Sequence, residues 1–219
     1  MKYGLDCVTP PMLNQGQAML NLGWSWLNVY VGGPYLSGHT PWSNASVGAL
    51  AGIGFVFLPL YVGQQNVPGN RTLRGTLNYE QGTLDGTEAT VLTGACGFDS
   101  STLLGLHLES GNYEHDPDGV QEYVRGWVEV VNGAGHQALL YSNAMTAHVL
   151  GTPSLVDLTW VSDPVVPGSK YRRAPEGRFD PSSDPAWDAW QFAFGGQIGG
   201  VSVDLNSARD DFPFASQSQ

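Results

Sequence analysis

Two apolar, aromatic-rich segments close the chain, Trp187 to Phe194 and Val201 to Leu205, with only Gly195 to Gly200 between them. So short a link cannot hold the crossover that a parallel pair requires, so these two strands must lie antiparallel. The preceding sequence alternates differently. Tyr3 to Asp6, Trp26 to Val31, Ile53 to Tyr61, Leu103 to Glu109, Gln137 to Tyr141 and Leu155 to Val161 read as strands. Most are separated by segments of helical character. Pro10 to Gly23 has apolar residues at helical spacing with Asn14 as its expected N-cap, and Asn44 to Ala51 forms a short helix. Asp85 to Cys96 is read as a helix opened by a capping box of Asp85 and Glu88. Asp118 to Asn132 puts Val120, Tyr123, Val124, Trp127, Val128 and Val131 on one face, and Asn143 to Leu150 is a further short helix. Gln64 to Gln81 reads as a polar surface excursion, and Asp163 to Pro185 as a long irregular loop.

Eight strands, most of the first six joined through helices and the last two by a hairpin, imply an α/β fold. The expectation is an irregular TIM-like (β/α) barrel whose last strands are antiparallel and lack helices. A doubly wound open sheet is the runner-up, weakened because no Gly-rich phosphate fingerprint follows the first strand. The whole chain, 1–219, is read as one domain.

The formal net charge of −11, from 20 acidic against 9 basic residues, argues against a nucleic-acid partner, because phosphates must be neutralised by Lys and Arg. Ala49 to Val62 is the longest apolar run, and Gly52, Gly54 and Pro59 interrupt it, so no membrane span is expected. Cys7 and Cys96 form no metal pattern and read as buried free thiols. His39, His107, His115, His136 and His148 show no recognised ligand spacing, so neither a metal nor a cofactor is expected. The low charge content, rich in Gly, Asn, Ser, Thr and aromatics, suits an extracellular, cell-envelope or virion-associated protein. No basic n-region with an apolar h-region precedes the first strand.

The strand ends carry the chemistry. Leu103 to Glu109, LLGLHLE, is apolar until His107 and Glu109, which alternation projects to the same side. The other strand-end residues are Asp6, Tyr30, Tyr61, Tyr141, Trp160, Gln191 and Asp204. In a barrel of mainly parallel strands such ends meet at one mouth, which would then be lined by carboxylates, amides and rings. That lining suits a sugar: rings pack on pyranose faces, and carboxylates bond hydroxyls and move protons.

Gly4-Leu-Asp6, Leu106-His-Leu-Glu109, Leu140-Tyr-Ser-Asn143, Leu158-Thr-Trp-Val161 and Trp190-Gln-Phe followed by Gly199-Gly-Val-Ser-Val-Asp-Leu-Asn206 occur in the order of a known set of motifs. With them the chain resembles the glycoside hydrolase family 25 muramidases, and more closely the actinobacterial and phage glycoside-hydrolase-like domains related to them. The resemblance spans nearly the whole chain. It implies an irregular barrel acting on the β-1,4 bond of peptidoglycan, with Glu109 as general acid and Asp6 and Asp204 as further catalytic carboxylates. It also matches Tyr141 to a tyrosine of the family, while the reading of the strand ends puts His107, Tyr30, Tyr61, Tyr141, Trp160 and Gln191 forward as substrate-binding residues.

One position departs from the family pattern. His107 stands where those muramidases carry the aspartate of an aspartate-x-glutamate pair. A neutral imidazole cannot supply that negative charge, and a cationic one would lower the pKa of Glu109, the wrong direction for a general acid. Two functions follow as expectations: a hydrolase of cell-wall glycan, or a non-catalytic module of a cell-wall or phage tail protein that holds the same glycan. A structural virion domain that retains only the barrel is a third. The oligomeric state is left open.

Overall fold

The computed structural model describes residues 1–36, 41–65, 75–109, 116–144, 146, 150, 155–175, 177–183 and 187–216. Eight strands close into a barrel in sequence order. They are β1 (Lys2–Asp6), β2 (Trp26–Gly32), β3 (Val56–Val62), β4 (Leu103–Leu108), β5 (Gln137–Asn143), β6 (Leu158–Pro167), β7 (Ala189–Ile198) and β8 (Val201–Ala208). Neighbours from β1 to β7 pair in parallel. Only β8 runs the other way, antiparallel to both β7 and β1. The barrel and its closing hairpin are therefore as the sequence implies. The hairpin is tighter than the six-residue link suggested, because β7 continues to Ile198 and leaves Gly199-Gly200 as the turn. Both glycines have positive φ, 59° and 82°, the backbone that a two-residue hairpin turn demands.

Helices α1 (Leu13–Asn21), α2 (Asn44–Ala51), α3 (Tyr79–Ala95) and α4 (Pro117–Gly133) pack outside the first five strands. α4 buries Val120, Tyr123, Val124, Trp127, Val128 and Val131, the stripe read from its sequence. Two helix starts differ from expectation. α1 begins one residue before Asn14, with the Met12 N–H donating to Gln15 Oε1 at 2.8 Å. α3 begins at Tyr79 behind Asn78, whose side chain accepts the Gln81 N–H, so Asp85 lies mid-helix rather than at a cap. Asp85 is buried there and accepts from the Tyr123 hydroxyl at 2.6 Å, Gln64 Nε2 at 2.9 Å and Gln81 Nε2 at 2.7 Å. Gln64 and Gln65 are accordingly interior rather than part of a surface excursion. Half of the expected helix from Asn143 to Leu150 lies outside the described residues; of the rest, Asn143 ends β5, and Ala144, Thr146 and Leu150 are helical.

Among the described residues no α-helix follows β6. β6 itself runs to Pro167, six residues beyond the expected end, and residues 168–175 and 177–183 then form a strap containing two short 3-10 turns, Gly168–Lys170 and Pro181–Ser183. The strap lies against the outer face of the barrel through Tyr171 and Phe179, which pack on Phe192. The far end of the barrel is filled by Trp26, whose ring lies 5.8 Å from Trp160 and 4.9 Å from Phe214 of the C-terminal segment. Gly4 is required beside this ring, since a Cβ at that position would sit 2.0 Å from the Trp26 indole.

Candidate active site

Asp6 ends β1, and register sets it directly opposite Asp204 on β8. Because β8 is reversed, Asp204 reaches the mouth from within its strand rather than from its carboxyl end. A cleft of about 370 Å³ opens beside them, lined by Asp6, Cys7, Val8, Thr9, Tyr30 and residues 201–204. That volume lies in the range of small-ligand sites. Asp6 is 5% exposed, and its Oδ2 accepts from the Tyr30 hydroxyl at 3.1 Å and from Gln191 Nε2 at 3.4 Å. Burial, then the neighbouring Asp204 charge, raises its pKa to about 8 despite the Tyr30 hydrogen bond. Asp204 is also raised, mainly by burial, although the Gly195 N–H donates to its Oδ1 at 2.9 Å.

On the other side of the mouth, Glu109 follows β4 directly. Its Oε2 lies 3.4 Å from His107 Nε2, and its Oε1 lies 2.9 Å from Ser162 Oγ. Burial pushes the Glu109 pKa up, but His107 and the hydroxyls of Ser162 and Tyr141 together outweigh it, and the net shift is downward. This is the direction the histidine substitution implied. His107 is held at both ends: its ring packs edge-on against Tyr141 at 4.7 Å, and its carbonyl accepts from Gln65 Nε2 at 2.9 Å and the Gly63 N–H at 3.2 Å.

A polar chain joins the two sides. Ser162 Oγ lies 2.9 Å from both Glu109 Oε1 and Gln191 Oε1, the Tyr141 hydroxyl donates to Gln191 Oε1 at 2.6 Å, and Gln191 Nε2 reaches Asp6. A hydroxyl carries one proton, so Ser162 donates to Glu109 while that carboxylate is charged. Once Glu109 is protonated it can donate to Ser162, which turns its own proton to Gln191. The network therefore accommodates Glu109 in either protonation state. Burial keeps the phenols of Tyr30 and Tyr141 protonated far above their usual range, so both remain donors.

Of the residues expected at the mouth, Asp6, Asp204, Glu109, His107, Tyr30, Tyr141 and Gln191 are brought together. Tyr61 and Trp160 are not. Val62 pairs with His107 and so faces inward, which turns Tyr61 outward; its hydroxyl donates to Glu88 Oε2 on α3 at 2.6 Å. Trp160 is fully buried beneath Tyr141, with ring centroids 4.4 Å apart and its Nε1 donating to Asn206 Oδ1. Strand tilt carries its register row down into the barrel, and the next inward residue on β6, Ser162, takes the place at the mouth. The apolar run in the sequence ends at Val161, so Ser162 carries no sequence signal of its place in β6. Asn143, at the end of β5, donates from Nδ2 to the Glu109 carbonyl at 3.4 Å, a contact that no local sequence signal marks.

Among the described residues no group of three or more His, Cys, Asp or Glu side chains could hold a metal ion, and no helix is long and apolar enough to cross a membrane. Cys7 and Cys96 are free and buried. His39, His115 and His148 lie outside the described residues.

A closed, mostly parallel barrel with a carboxylate-lined mouth and one reversed closing strand defines a glycoside hydrolase-like domain. The family model of the Rv2525c-like, glycoside hydrolase-like domain matches residues 17–191, and the chain belongs to that family. The solved structures give the same fold at low identity. The Tat-secreted protein Rv2525c of Mycobacterium tuberculosis, in complex with L-tartrate, superposes with a TM-score of 0.70 at 19% identity, covering 97% of this chain and 98% of that one. The modular autolysin LytC from Streptococcus pneumoniae, in complex with synthetic peptidoglycan ligand, gives 0.62 at 13% identity over 94% of this chain and 46% of LytC. The spore cortex lytic enzyme SleM of Clostridium perfringens gives 0.58 at 11% identity over 96% of this chain and 68% of SleM. Among curated proteins, none matches the sequence.

Proposed function

We infer that this domain acts on cell-wall glycan by muramidase-type hydrolysis, with Glu109 as the group that delivers the proton to the leaving oxygen. The observation that carries the reading is the chain from Glu109 through Ser162 and Gln191 to Asp6, which lets Glu109 take up and release a proton without stranding a buried polar group. Asp6 and Asp204 face each other at the mouth as the candidate partner carboxyls; with its pKa raised to about 8, Asp6 is neutral at acidic pH, so Asp204 is the candidate for the negative partner. The family, and the likeness to LytC and SleM, supports a peptidoglycan-related substrate and an extracellular or cell-envelope setting. Because Glu109 is held below its ordinary pKa, its acid form survives only at low pH, and hydrolysis should fall as pH rises.

The experiment is reducing-end release from purified cell walls at acidic pH, comparing the native chain with Glu109→Gln. A loss of about 100-fold or more is expected for removal of a general acid; equal release from both removes the hydrolytic reading.

The close His107–Glu109 pair favours a second reading, in which the same mouth holds glycan without cutting it. His107→Asp separates the two. Activity confined to that variant, with muropeptide binding by the native chain, identifies the binding module. Activity in the native chain identifies the hydrolase.

A further inference from the structure

The chain is strongly acidic, with 9 basic residues in all, yet Lys170, Arg172, Arg173 and Arg178 fall within one short stretch of the strap. All four side chains are exposed, and none makes an ion pair among the described residues. They line one cleft of about 730 Å³. A neighbouring cavity of about 550 Å³ shares Ser169, Tyr171 and Arg172 with it and extends to the hairpin turn at Gly199-Gly200. Of the acidic residues in this part of the sequence, Glu176 lies outside the described residues, and Asp180 accepts the Ser182 N–H at 2.9 Å and makes no ion pair with the four cations.

The backbone carrying these cations is fixed. The Ala174 N–H donates to the Leu22 carbonyl at 2.9 Å, Trp24 Nε1 donates to the Arg172 carbonyl at 3.4 Å, and the Arg178 N–H donates to the Tyr3 hydroxyl at 3.1 Å. The strap therefore spends its backbone and aromatic groups on the barrel and presents its charges outward. Holding four like charges together costs stability unless a counter-charge arrives, which is the signature of a surface made for an anion.

We propose that the strap residues Ser169 to Pro175, together with Arg178, are a binding site for a phosphodiester-bearing polymer, gripped along the outer wall of the barrel and separate from the glycan mouth. Guanidinium groups match phosphate oxygens in paired hydrogen bonds, and three of the four cations are arginines. A duplex nucleic acid needs a broad basic face, which a chain of net charge −11 does not offer. A lipid surface would ask for exposed apolar anchors, and none of the exposed large apolar residues lies between Ser169 and Arg178. A thin, flexible polyanion fits both the cleft and the charge. On the reading of a wall-directed domain, this site would hold the protein to its surface while the mouth engages the glycan.

The test uses the full chain and poly(glycerol phosphate) as the probe, with uncharged dextran and duplex DNA as comparison arms. Saturable binding that weakens steeply with salt is expected, together with a loss of about 10- to 100-fold in the triple variant Arg172→Gln, Arg173→Gln, Arg178→Gln. The triple Arg→Lys variant should regain part of it, and an unchanged melting temperature in both shows that the fold is intact. Equal binding by native and triple Gln variant, equal binding of dextran, or tighter binding of DNA overturns the proposal. Glu109→Gln must leave this binding unchanged, and hydrolysis of phosphate-stripped walls must be unaffected by the arginine variants. The two readings can therefore fail independently.

Discussion

The barrel is wrapped by two kinds of wall. Around β1 to β5 the wall is helical, and α4 alone buries a continuous apolar stripe with Trp127 and Tyr123 fully covered. From β6 round to β1 it is a non-helical strap that packs through aromatic rings: Phe179 stacks on Phe192 at 4.2 Å with planes 2° apart, and Tyr171 meets both edge-on. The helical wall requires parallel crossovers, and these bring Asp6, Tyr30, His107 and Tyr141 to one mouth by strand ends alone. The strap is the one crossover of this parallel set built without an α-helix among the described residues, and the two-residue hairpin that follows β7 is what lets β8 reverse and present Asp204 opposite Asp6 from mid-strand. The site thus draws on both constructions, with Asp6, Tyr30, His107, Glu109 and Tyr141 from the first and Ser162, Gln191 and Asp204 from the second.

The sharpest way to break this comparison is at the helical wall. Trp127→Ala removes a fully buried ring from α4 and should cost about 3–5 kcal/mol in urea unfolding, with the transition still cooperative. A loss under about 1 kcal/mol would mean that the helical wall does not hold the barrel closed.

The two walls also differ in how far they could be read from sequence. The apolar stripe of α4 was legible residue by residue because helical periodicity is a local signal, and the β7–β8 pairing followed from a short link that permits one geometry. The strap offered no period, so the length of β6 and with it Ser162 were lost. At the site, strand ends identified Asp6, His107 and Glu109, but alternation decides facing, and one residue of register separates Tyr61 against α3 from Val62 beside His107. Trp160 required the barrel's tilt, which no single strand records. Asp85 was misread because a carboxylate followed three residues later by a glutamate resembles a cap, whereas its partners Tyr123 and Gln64 lie on distant segments.

Asp6, where the two constructions meet, gives the next effect. Its folded pKa of about 8 lies above the ordinary carboxylate value, so the folded state binds the extra proton. Its contribution to stability is complete below the unfolded pKa and is lost as pH rises through about 8. Native stability should therefore decline between about pH 4 and pH 8, by at most about 1.4 kcal/mol per pH unit for one proton. Asp6→Asn should flatten that decline, because an amide accepts from Tyr30 and Gln191 without titrating. Parallel pH profiles for the two proteins would show that Asp6 is not the proton-binding group.

The smallest effect tests whether the strap is as fixed as the helical wall. Phe179 is half-buried and has a φ of 57°, a left-handed conformation that costs a residue bearing a Cβ. Its stacking on Phe192 holds it there, and its carbonyl accepts from Ser207 Oγ at 2.6 Å on β8. Phe179→Ala and Phe179→Gly lose the same ring, but only glycine relieves the backbone. Glycine also gains more freedom in the unfolded chain, which offsets part of that relief. In a rigid strap the glycine variant should still be the more stable of the two by roughly 0.5–1 kcal/mol, the reverse of the usual order. The usual order, alanine above glycine, would mean that the strap relaxes once the ring is gone, and that its arginines are displayed by a loop rather than by a wall.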